Sequence, residues 1–479
     1  MNETFDLDDV IKNSFEETNL PSLDECLARN EQGDAMLFAS LFRQRYIFDH
    51  AAGEWYRYRA PYWQRANPAE LWHVVGNQVA AEYTRAAGLC RGQNDRQRES
   101  ALLTRANALR TRKRVVNILD WSTHLLALPA AGWDVKPLLL TLENGVLDLS
   151  DGSLRQAQPE EYLNAHLPAR WLGLDAPAPL WQKTLSQIFG GETELIAFVQ
   201  RLLGYALGGS SSERILPIFY GAGANGKTTL IELVSSVLGT DFCLSTHAGA
   251  LMENHADDDR PRPFIHSLRG KRLVWASETR EGQRLDLSLI KALTGGDTLS
   301  ARTLYARDFV TFRPSHTVFL ITNHLPHVSA QDQAAWDRIA AVEFKSRFVD
   351  HPQNPGEYLR DPNLRQRLAG EAPGILAWLV RGCLEWQRIG LGQPEQVIQL
   401  NTEYRQAEDD FGLFCSEALD TSVPGALTRS SVLYLAYRSW AQENGYSVMS
   451  GTAFGRRMSL RHPKFRLNNG FHYQGVQLR

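Results

Sequence analysis

Apolar runs and helical patterns alternate through the central part of the chain. Strand-like runs lie at residues 215–220, 272–276, 317–322 and 339–344, and stretches with helical periodicity separate them. Strands that alternate with helices predict a mostly parallel sheet, with a ligand site at the carboxyl ends of its strands. Residues 351–411 continue with a mostly helical pattern. We therefore predict an α/β fold class with a parallel sheet in the middle of the chain.

The segments on either side of this centre have different patterns. Residues 35–181 are rich in aromatic residues, and their helical stretches lead to two short strands around Asn144-Gly145, a typical hairpin turn. Near the C-terminal end, helix-like stretches at 430–437 and 450–458 precede two strand-like pieces around Asn468-Asn469-Gly470. The order helix, helix, hairpin is typical of a winged helix.

Length and composition limit the number of domains and the class of protein. The chain has 479 residues, enough for two to four domains. It has no apolar run of about 18 residues, which argues against a membrane span, and its first residues lack the apolar core of a secretory signal. The five cysteines are far apart, which argues against a structural zinc or a disulfide framework. These features fit a protein of the reducing cytoplasm.

The formal net charge of −3 conceals a strong asymmetry along the chain. Residues 1–34 carry ten acidic and two basic residues, which is typical of a solvated, flexible tail. Between Arg91 and Arg114 there are eight basic and two acidic residues. This stretch is either a solvated helix face or a collar that faces nucleic acid.

The terminal segment is strongly basic. From Thr428 to Arg479 there are eight Lys or Arg residues and one acidic residue, so 8 − 1 gives a net charge of +7. Combined with the winged-helix pattern, this charge predicts DNA contact through Arg456, Arg457 and Arg461. Docking of a protein on the wing is the alternative.

A glycine-rich motif follows the first central strand. Residues 221–228 read Gly-Ala-Gly-Ala-Asn-Gly-Lys-Thr and match the pattern G-x-x-x-x-G-K-[ST] of a phosphate loop between a strand and a helix. Glycines let backbone N–H groups turn towards phosphate oxygens, and the helix N-terminus adds its positive dipole end. Lys227 can reach the β- and γ-phosphates of ATP, and Thr228 can offer a hydroxyl to Mg²⁺. The predicted nucleotide-binding residues are Gly221, Ala222, Gly223, Ala224, Asn225, Gly226, Lys227, Thr228 and Thr229.

Polar residues follow the later central strands. Glu278 ends the strand-like segment 272–278 and can hold a metal or polarise the attacking water, although any buried strand can end in a glutamate. Asn323 follows the next strand and can orient that water. Arg338 lies just before the last strand, where it can stabilise transition-state charge on a neighbouring subunit's γ-phosphate or form a surface ion pair with Asp337 or Asp332.

A projecting hairpin is predicted between the second and third of these strands. Residues 298–305 and 309–312 form its arms, and 306–308 form its tip. Basic residues on such a hairpin can grip phosphates in a central pore. The alternative is a structural hairpin whose arginines are solvated.

The order of these motifs resembles the superfamily 3 DNA helicases of the phage and plasmid primase–helicase type, which include the poxvirus primase-helicase. The resemblance covers roughly residues 35–479. The strings that carry it are GAGANGKTTL, LRGKRLVWASE, LIKALTGGDTLSARTLY, TVFLITNHLP and AAWDRIAAVEF, with ENGVLDLSDG upstream.

The resemblance implies an AAA+-like core assembled as a ring, usually a hexamer, with ATP sites between subunits and 3′→5′ movement on DNA. It implies that Lys227 and Thr228 bind phosphate and Mg²⁺, that Glu278 is the catalytic carboxylate and a metal ligand, that Asn323 is the sensor and that Arg338 is an arginine finger acting in trans. The segment expected to carry the pore hairpin contains Lys291, Arg302 and Arg307.

Two departures from the family pattern matter. Many related helicases carry paired acids where this chain has Ser277 and Glu278, which leaves the inner metal ligand open. Family members often carry a polymerase-like primase domain, and the roughly 180 residues before this core already match the helical connector. We therefore expect a helicase without its own primase, working with a separate primase or polymerase.

These observations lead to one interpretation of the whole chain. We expect an ATP-dependent, ring-forming helicase that acts on single-stranded and forked DNA, with ATP and Mg²⁺ as cofactors, in the cytoplasm of a bacterial host of a phage, plasmid or integrated element. The alternatives are an ATPase that remodels or senses nucleic acid, for example in defence, and a non-catalytic scaffold, against which Lys227 and Glu278 argue. The expected segments are an acidic tail (1–34), an N-terminal helical or collar domain (35–181), an ATPase core (182–350), a helical extension (351–411) and a winged helix (412–479).

Overall fold

The computed structural model describes residues 20–253, 263–277, 280–301, 310–423, 425–446 and 448–479. The chain divides into two compact units. Unit 1 comprises the residues up to Ala178 together with Ser236–Phe242 and Ala369–Leu384, and unit 2 comprises Pro179–Ser235, Cys243–Leu368 and Glu385–Arg479.

Unit 1 begins as a helical assembly. Side chains cap its helices: Ser22 accepts a hydrogen bond from the backbone N–H of Glu25 at 3.2 Å, and Asn67 and Asp95 do the same for later helices. Apolar faces of these helices meet in one core around the buried Phe38 and Tyr83. Its helices are α1 Leu23–Ala28, α2 Asn30–Phe42, α3 Pro68–His73, α4 Ala80–Gly92, α5 Arg96–Ala108 and α6 Arg112–Leu125, and a π-helical turn at Val74–Val79 joins α3 to α4.

Two small sheets accompany these helices, so residues 35–181 contain both helices and strands. One sheet has the order β1-β2-β3 and the other the order β6-β5-β4-β7. β4 and β5 are antiparallel and meet at Asn144, which confirms the hairpin predicted there. The strands are β1 Tyr46–Asp49, β2 Glu54–Arg59, β3 Tyr62–Arg65, β4 Leu139–Leu142, β5 Gly145–Asp148, β6 Ser153–Arg155 and β7 His166–Leu167.

The basic stretch from Arg91 to Arg114 is partly neutralised inside unit 1. Asp34 is fully buried and accepts hydrogen bonds from Arg105 and Arg114, each at 2.9 Å, and from the hydroxyl of Tyr83 at 2.6 Å. Two more of the eight cations form exposed pairs, Arg91 with Glu99 and Arg98 with Asp24. These four side chains therefore serve the packing of the helices, which favours the structural interpretation for them over a nucleic-acid collar.

Unit 2 is built on a five-stranded parallel sheet with the order β14-β8-β13-β10-β9. Four of these strands match the predicted runs to within one residue at each end. β9 was not predicted, because the sequence Cys-Leu-Ser-Thr-His lacks an apolar run. The strands of this part are β8 Leu216–Tyr220, β9 Cys243–His247, β10 Leu273–Ser277, β11 Leu299–Ala301, β12 Val310–Phe312, β13 Thr317–Thr322, β14 Ile339–Glu343, β15 Arg347–Val349 and β16 Glu357–Leu359.

Helices connect these strands along the chain. The mixed α/β class with a parallel sheet is thus confirmed, and the mostly helical pattern after residue 351 is confirmed as well. The helices are α7 Pro179–Ile188, α8 Thr193–Gly208, α9 Lys227–Phe242, α10 Pro263–Ser267, α11 Leu287–Thr294, α12 Gln333–Trp336, α13 Leu364–Ala369, α14 Ala372–Ile389 and α15 Glu395–Ala407.

The C-terminal part of unit 2 has its own small core, built around Phe414, Tyr437, Phe454 and Tyr473. Two helices and a hairpin follow one another here as predicted, and a three-stranded antiparallel sheet has the order β18-β20-β19. Across the described residues, no helix is both long and apolar enough to cross a membrane. The elements are α16 Asp410–Ala418, β17 Leu419–Asp420, β18 Leu427–Arg429, α17 Ser430–Glu443, α18 Gly451–Arg461, β19 Lys464–Leu467, β20 Gly470–Gln474 and β21 Gln477–Leu478.

Candidate functional site

The glycine-rich loop, residues 221–226, connects the end of β8 to the start of α9. Gly221, Ala224 and Gly226 have φ angles of 145°, 59° and 89°, in the region that L side chains rarely adopt. A Cβ on Gly226 would lie 2.8 Å from Cγ1 of Ile188, so this position has room for glycine alone. The loop therefore depends on glycine both for its backbone angles and for its packing.

Lys227 lies inside the curve of this loop and is only 4% exposed. Its ammonium group donates to the carbonyl of Gly221 and, at 3.0 Å each, to the side-chain oxygens of Asn225 and Asn323. Burial lowers the pKa of Lys227 to about 8. The ammonium thus donates to three oxygens at the N-terminus of a helix. Phosphate oxygens could replace these oxygens as acceptors.

Most of the predicted nucleotide-binding residues lie together at the carboxyl ends of the sheet strands. Asn323 follows β13, which lies directly beside β8, so the amide reaches Lys227 from the neighbouring strand. Thr228, Ser277 and Asn323 line one concave surface together with residues 223–227 and Thr229. Glu278 comes directly after Ser277 but lies outside the described residues, so its role stays a prediction.

Asn225 has a second connection that the sequence did not indicate. Its amide nitrogen donates to the carbonyl of Phe344, just after β14, at 3.2 Å, while the backbone N–H of Phe348 donates to the carbonyl of Ala224 at 2.7 Å. The loop is thereby tied to the segment that follows β14. A motif pattern could not reveal this, because the partners are more than 100 residues apart and the motif leaves position 225 unrestricted.

Arg338 lies at the opposite end of the strands, beside the amino end of β14. It immediately precedes β14, and its carbonyl accepts a hydrogen bond at 2.7 Å from Leu216, the first residue of β8. Lys227 begins α9 beyond the other end of β8. β8 has five residues at about 3.3 Å each, so its two ends lie about 16 Å apart. Arg338 therefore lies about one strand length from the glycine-rich loop of its own chain.

A second concave surface surrounds Arg338 and is lined by Arg214, Lys291, Gly295, Gly296 and Asp297. Arg338 Nε donates to Thr294 Oγ1 at 3.1 Å, and the Lys291 ammonium pairs with Asp332 at 2.6 Å. That bond lowers the pKa of the Asp332 carboxyl.

Three cationic side chains, Arg214, Lys291 and Arg338, thus line one surface, and Asp332 pairs with Lys291 rather than with Arg338. Arg214 was missed in the sequence analysis, because none of the motifs found there contains it.

The predicted pore hairpin is only partly described. β11 and β12 pair antiparallel, which confirms the part of its arms that the structure describes. Arg302 and Arg307 lie outside the described residues. Lys291, expected in the same DNA-binding segment, lies on α11 beside Arg338.

In the C-terminal part, two of the three predicted DNA-contacting arginines have partners within the chain. Arg457 pairs with Asp410 at 3.3 Å, and Arg461 pairs with Asp409 at 3.4 Å. Both guanidinium groups also lie over the ring of Phe411, at 5.6 and 5.1 Å from its centroid. Arg456 is exposed, and no ion pair joins it to any described residue.

The chain is similar to known proteins over most of its length. A family described as "D5 N terminal like" matches residues 35–190. "Putative helicase L207/L206" of Acanthamoeba polyphaga mimivirus is 24% identical over 445 residues, which cover 85% of this chain and 45% of the relative. "Putative primase C962R" of African swine fever virus (strain Badajoz 1971 Vero-adapted) is 24% identical and covers 65% of this chain and 34% of the relative.

Among solved structures, the apo NrS-1 C-terminal region aligns with 90% of this chain and 96% of its own length, at 12% identity and a TM-score of 0.47. The chain spans less than half the length of the viral relatives it matches. Residues 35–190 are similar to the D5 N-terminal-like family, and the chain is similar to viral proteins named as helicases and primases, which confirms the resemblance to the primase–helicase group.

Proposed function

We propose that this chain is the ATP-hydrolysing motor of a DNA helicase that takes part in the replication of a virus, phage, plasmid or integrated element. The observation that carries the proposal is the buried ammonium of Lys227, which lies 3.0 Å from Asn323 inside a loop that has no room for a Cβ at Gly226. The names of the viral relatives, helicase and primase, support the same role.

ATP and Mg²⁺ are the proposed cofactors, and the described residues suit them. Backbone N–H groups of the glycine-rich loop and the Lys227 ammonium would hold the β- and γ-phosphates, and the Thr228 hydroxyl would bind the metal ion. Mg²⁺ would neutralise charge on the phosphate oxygens. Asn323 would orient a water molecule beside the γ-phosphate, and Glu278 is the predicted carboxylate that would polarise it.

The ATP site is proposed to be completed by a second copy of the chain. Arg338 lies about 16 Å from the glycine-rich loop across the sheet, by the strand length given above, so it cannot reach the phosphates held by its own subunit. A head-to-tail contact would bring its surface, with Arg214 and Lys291, to the neighbour's γ-phosphate. Repetition of that contact closes a ring, which we propose to be a hexamer with an AAA+-like core.

Single-stranded and forked DNA are the proposed substrates. The basic C-terminal part, with its helix, helix and hairpin, is proposed to be a winged-helix domain that contacts DNA. The hairpin that contains Arg302 and Arg307 is proposed to contact DNA in the pore. A separate primase or polymerase would supply primers, and the complex would work in the cytoplasm of its host cell.

Replacing Lys227 tests the proposal. Lys227→Ala should abolish ATP hydrolysis and the unwinding of a forked duplex, because the phosphates lose their main positive charge. Lys183→Ala removes an exposed cation from α7 in the same unit and should leave both activities unchanged. Wild-type turnover by Lys227→Ala would refute the proposed site. ATP hydrolysis that DNA stimulates without any strand separation would instead support a remodelling or defence ATPase.

A further inference from the structure

The hairpin formed by β19 and β20 exposes aromatic and basic side chains together. We use the name hairpin surface for Lys464, Phe465, Arg466, Leu467 and Phe471. All four residues of β19 are exposed, and β19 is an edge strand that pairs only with β20. Phe465, Leu467 and Phe471 are 47%, 46% and 49% exposed. Large apolar side chains half in solvent on an edge strand indicate a surface that contacts something else.

The two faces of the hairpin differ in character. Successive residues of a strand point to opposite faces, so Lys464 and Arg466 share one face, and Phe471 lies directly across from Arg466. Phe465 and Leu467 lie on the other face. The hairpin thus presents cations beside one phenyl ring and an apolar strip with a second phenyl ring.

No acidic residue that the structure describes neutralises the two cations of the hairpin surface. The Lys464 ammonium lies 4.4 Å from the centroid of the Phe471 ring, and the Arg466 guanidinium lies 6.0 Å from it. Neither forms an ion pair with any residue that the structure describes, and the sequence has no acidic residue after Glu443. Arg457 and Arg461 on α18 differ, because Asp410 and Asp409 partly neutralise them.

We propose that the hairpin surface, rather than α18, binds nucleic acid, and that it binds unpaired bases. Lys464 and Arg466 would contact the phosphates, and Phe465 and Phe471 would stack on bases. Stacking on exposed rings beside cations is the physical basis of single-strand binding, and duplex bases are not accessible to it. The two cations and the absence of any acidic residue after Glu443 favour a polyanion such as nucleic acid over a protein partner for this surface. This inference specifies the DNA contact of the proposed helicase and therefore depends on that function.

Binding of a fluorescein-labelled oligothymidylate and of a blunt duplex of equal length, without nucleotide and over a range of salt concentrations, tests the inference. Phe465→Ala and Phe471→Ala should each weaken single-strand binding by about 5- to 100-fold with an unchanged salt slope. Lys464→Ala with Arg466→Ala should reduce that slope by about 1.4 units, because each phosphate contact on a single strand contributes about 0.7. Phe471→Tyr, which keeps a stacking ring, should bind like the wild type.

Matched controls separate the outcomes. Arg388→Ala removes an exposed cation of α14 in unit 2 and should not change the slope. Unchanged affinities in all the hairpin variants would overturn the inference, and so would a loss of self-association with normal DNA binding, which would mark a contact between copies. A wild type that hydrolyses ATP but does not bind oligothymidylate would overturn this inference alone and leave the ATPase proposal intact.

Discussion

At the residue scale, the buried ammonium of Lys227 links burial to the proposed nucleotide binding. Three oxygens hold it in place, and burial brings its pKa to about 8, compared with 10.5 for an ordinary lysine. The group therefore carries its full charge at neutral pH and loses it as the pH rises through 8. Only the charged form attracts phosphate oxygens.

We expect the affinity for ATP to fall on the alkaline side. With a pKa of about 8, roughly one tenth of Lys227 stays protonated at about pH 9, so binding should weaken by about tenfold compared with neutral pH. Equilibrium binding of a fluorescent ATP analogue over this range would measure the effect. Lys227→Arg stays charged and should give a flat, if weaker, profile. A flat profile in the wild type would show that the pKa is not lowered.

A second residue-scale prediction concerns the buried carboxylate of Asp34. Asp34→Asn should lower the free energy of unfolding of unit 1 by about 3–5 kcal/mol, because the guanidinium groups of Arg105 and Arg114 lose their shared counter-charge. Asp24→Asn, which breaks the exposed pair with Arg98, should cost less than about 1 kcal/mol. Chemical denaturation would compare the two, and equal effects would contradict the ranking.

At the scale of elements, the glycine-rich loop is shaped from three sides. α9 supplies Lys227, β13 supplies Asn323 and the segment after β14 holds Asn225 through Phe344. The surface continues past Gly226 and Thr229 to Ile188 and Phe348, where a nucleoside could follow the phosphates. The effect of a substitution in the loop on stability should therefore depend on which of these neighbouring residues the new side chain would contact.

Two glycines of the loop should respond differently to alanine. Gly226→Ala should destabilise the protein by about 1–3 kcal/mol, because its new Cβ would meet Ile188 at 2.8 Å and its φ is 89°. Gly223→Ala meets no atom within 4 Å and should keep the stability of the wild type. Thermal unfolding without nucleotide compares the variants. If both alanines destabilise the protein equally, the loop does not have the conformation described.

At the scale of the whole molecule, the parallel sheet separates two charged surfaces. The glycine-rich loop lies at the carboxyl ends of the strands, and Arg338 with Arg214 and Lys291 lies at the amino end of β14. We propose that they are two halves of one catalytic site, which is completed only when two chains meet.

Mixing inactive variants tests this arrangement. Lys227→Ala and Arg338→Ala should each be inactive alone, and a mixture should recover part of the ATPase activity, because some contacts between subunits then combine an intact Lys227 with an intact Arg338. ATPase rates at varied mixing ratios would measure the recovery. Co-assembly without recovery would place Arg338 in the site of its own chain or outside catalysis.

Much of the local structure was predictable from the sequence. The strand, loop and helix around Lys227, the hairpins at Asn144 and Asn469 and four of the five sheet strands follow from apolar runs and turn residues close together in the chain. Neighbouring residues decide backbone angles and the alternation of buried positions, so these features need no knowledge of the rest of the fold. Arg214 and β9 carry no such local signal and were missed.

The partners of charged and polar side chains were decided by the tertiary structure. A count of cations predicted DNA contact by Arg457 and Arg461 and allowed a collar that included Arg105 and Arg114, but folding brings acidic residues 47 to 80 positions away against them. The tie between Asn225 and Phe344 and the separation of Arg338 from Lys227 also arise only when the strands assemble. The sequence by itself determined which chemical groups and local turns are present. Long-range packing decided which groups meet, because ion pairs and hydrogen bonds depend on distances of a few ångströms that spacing along the chain does not set.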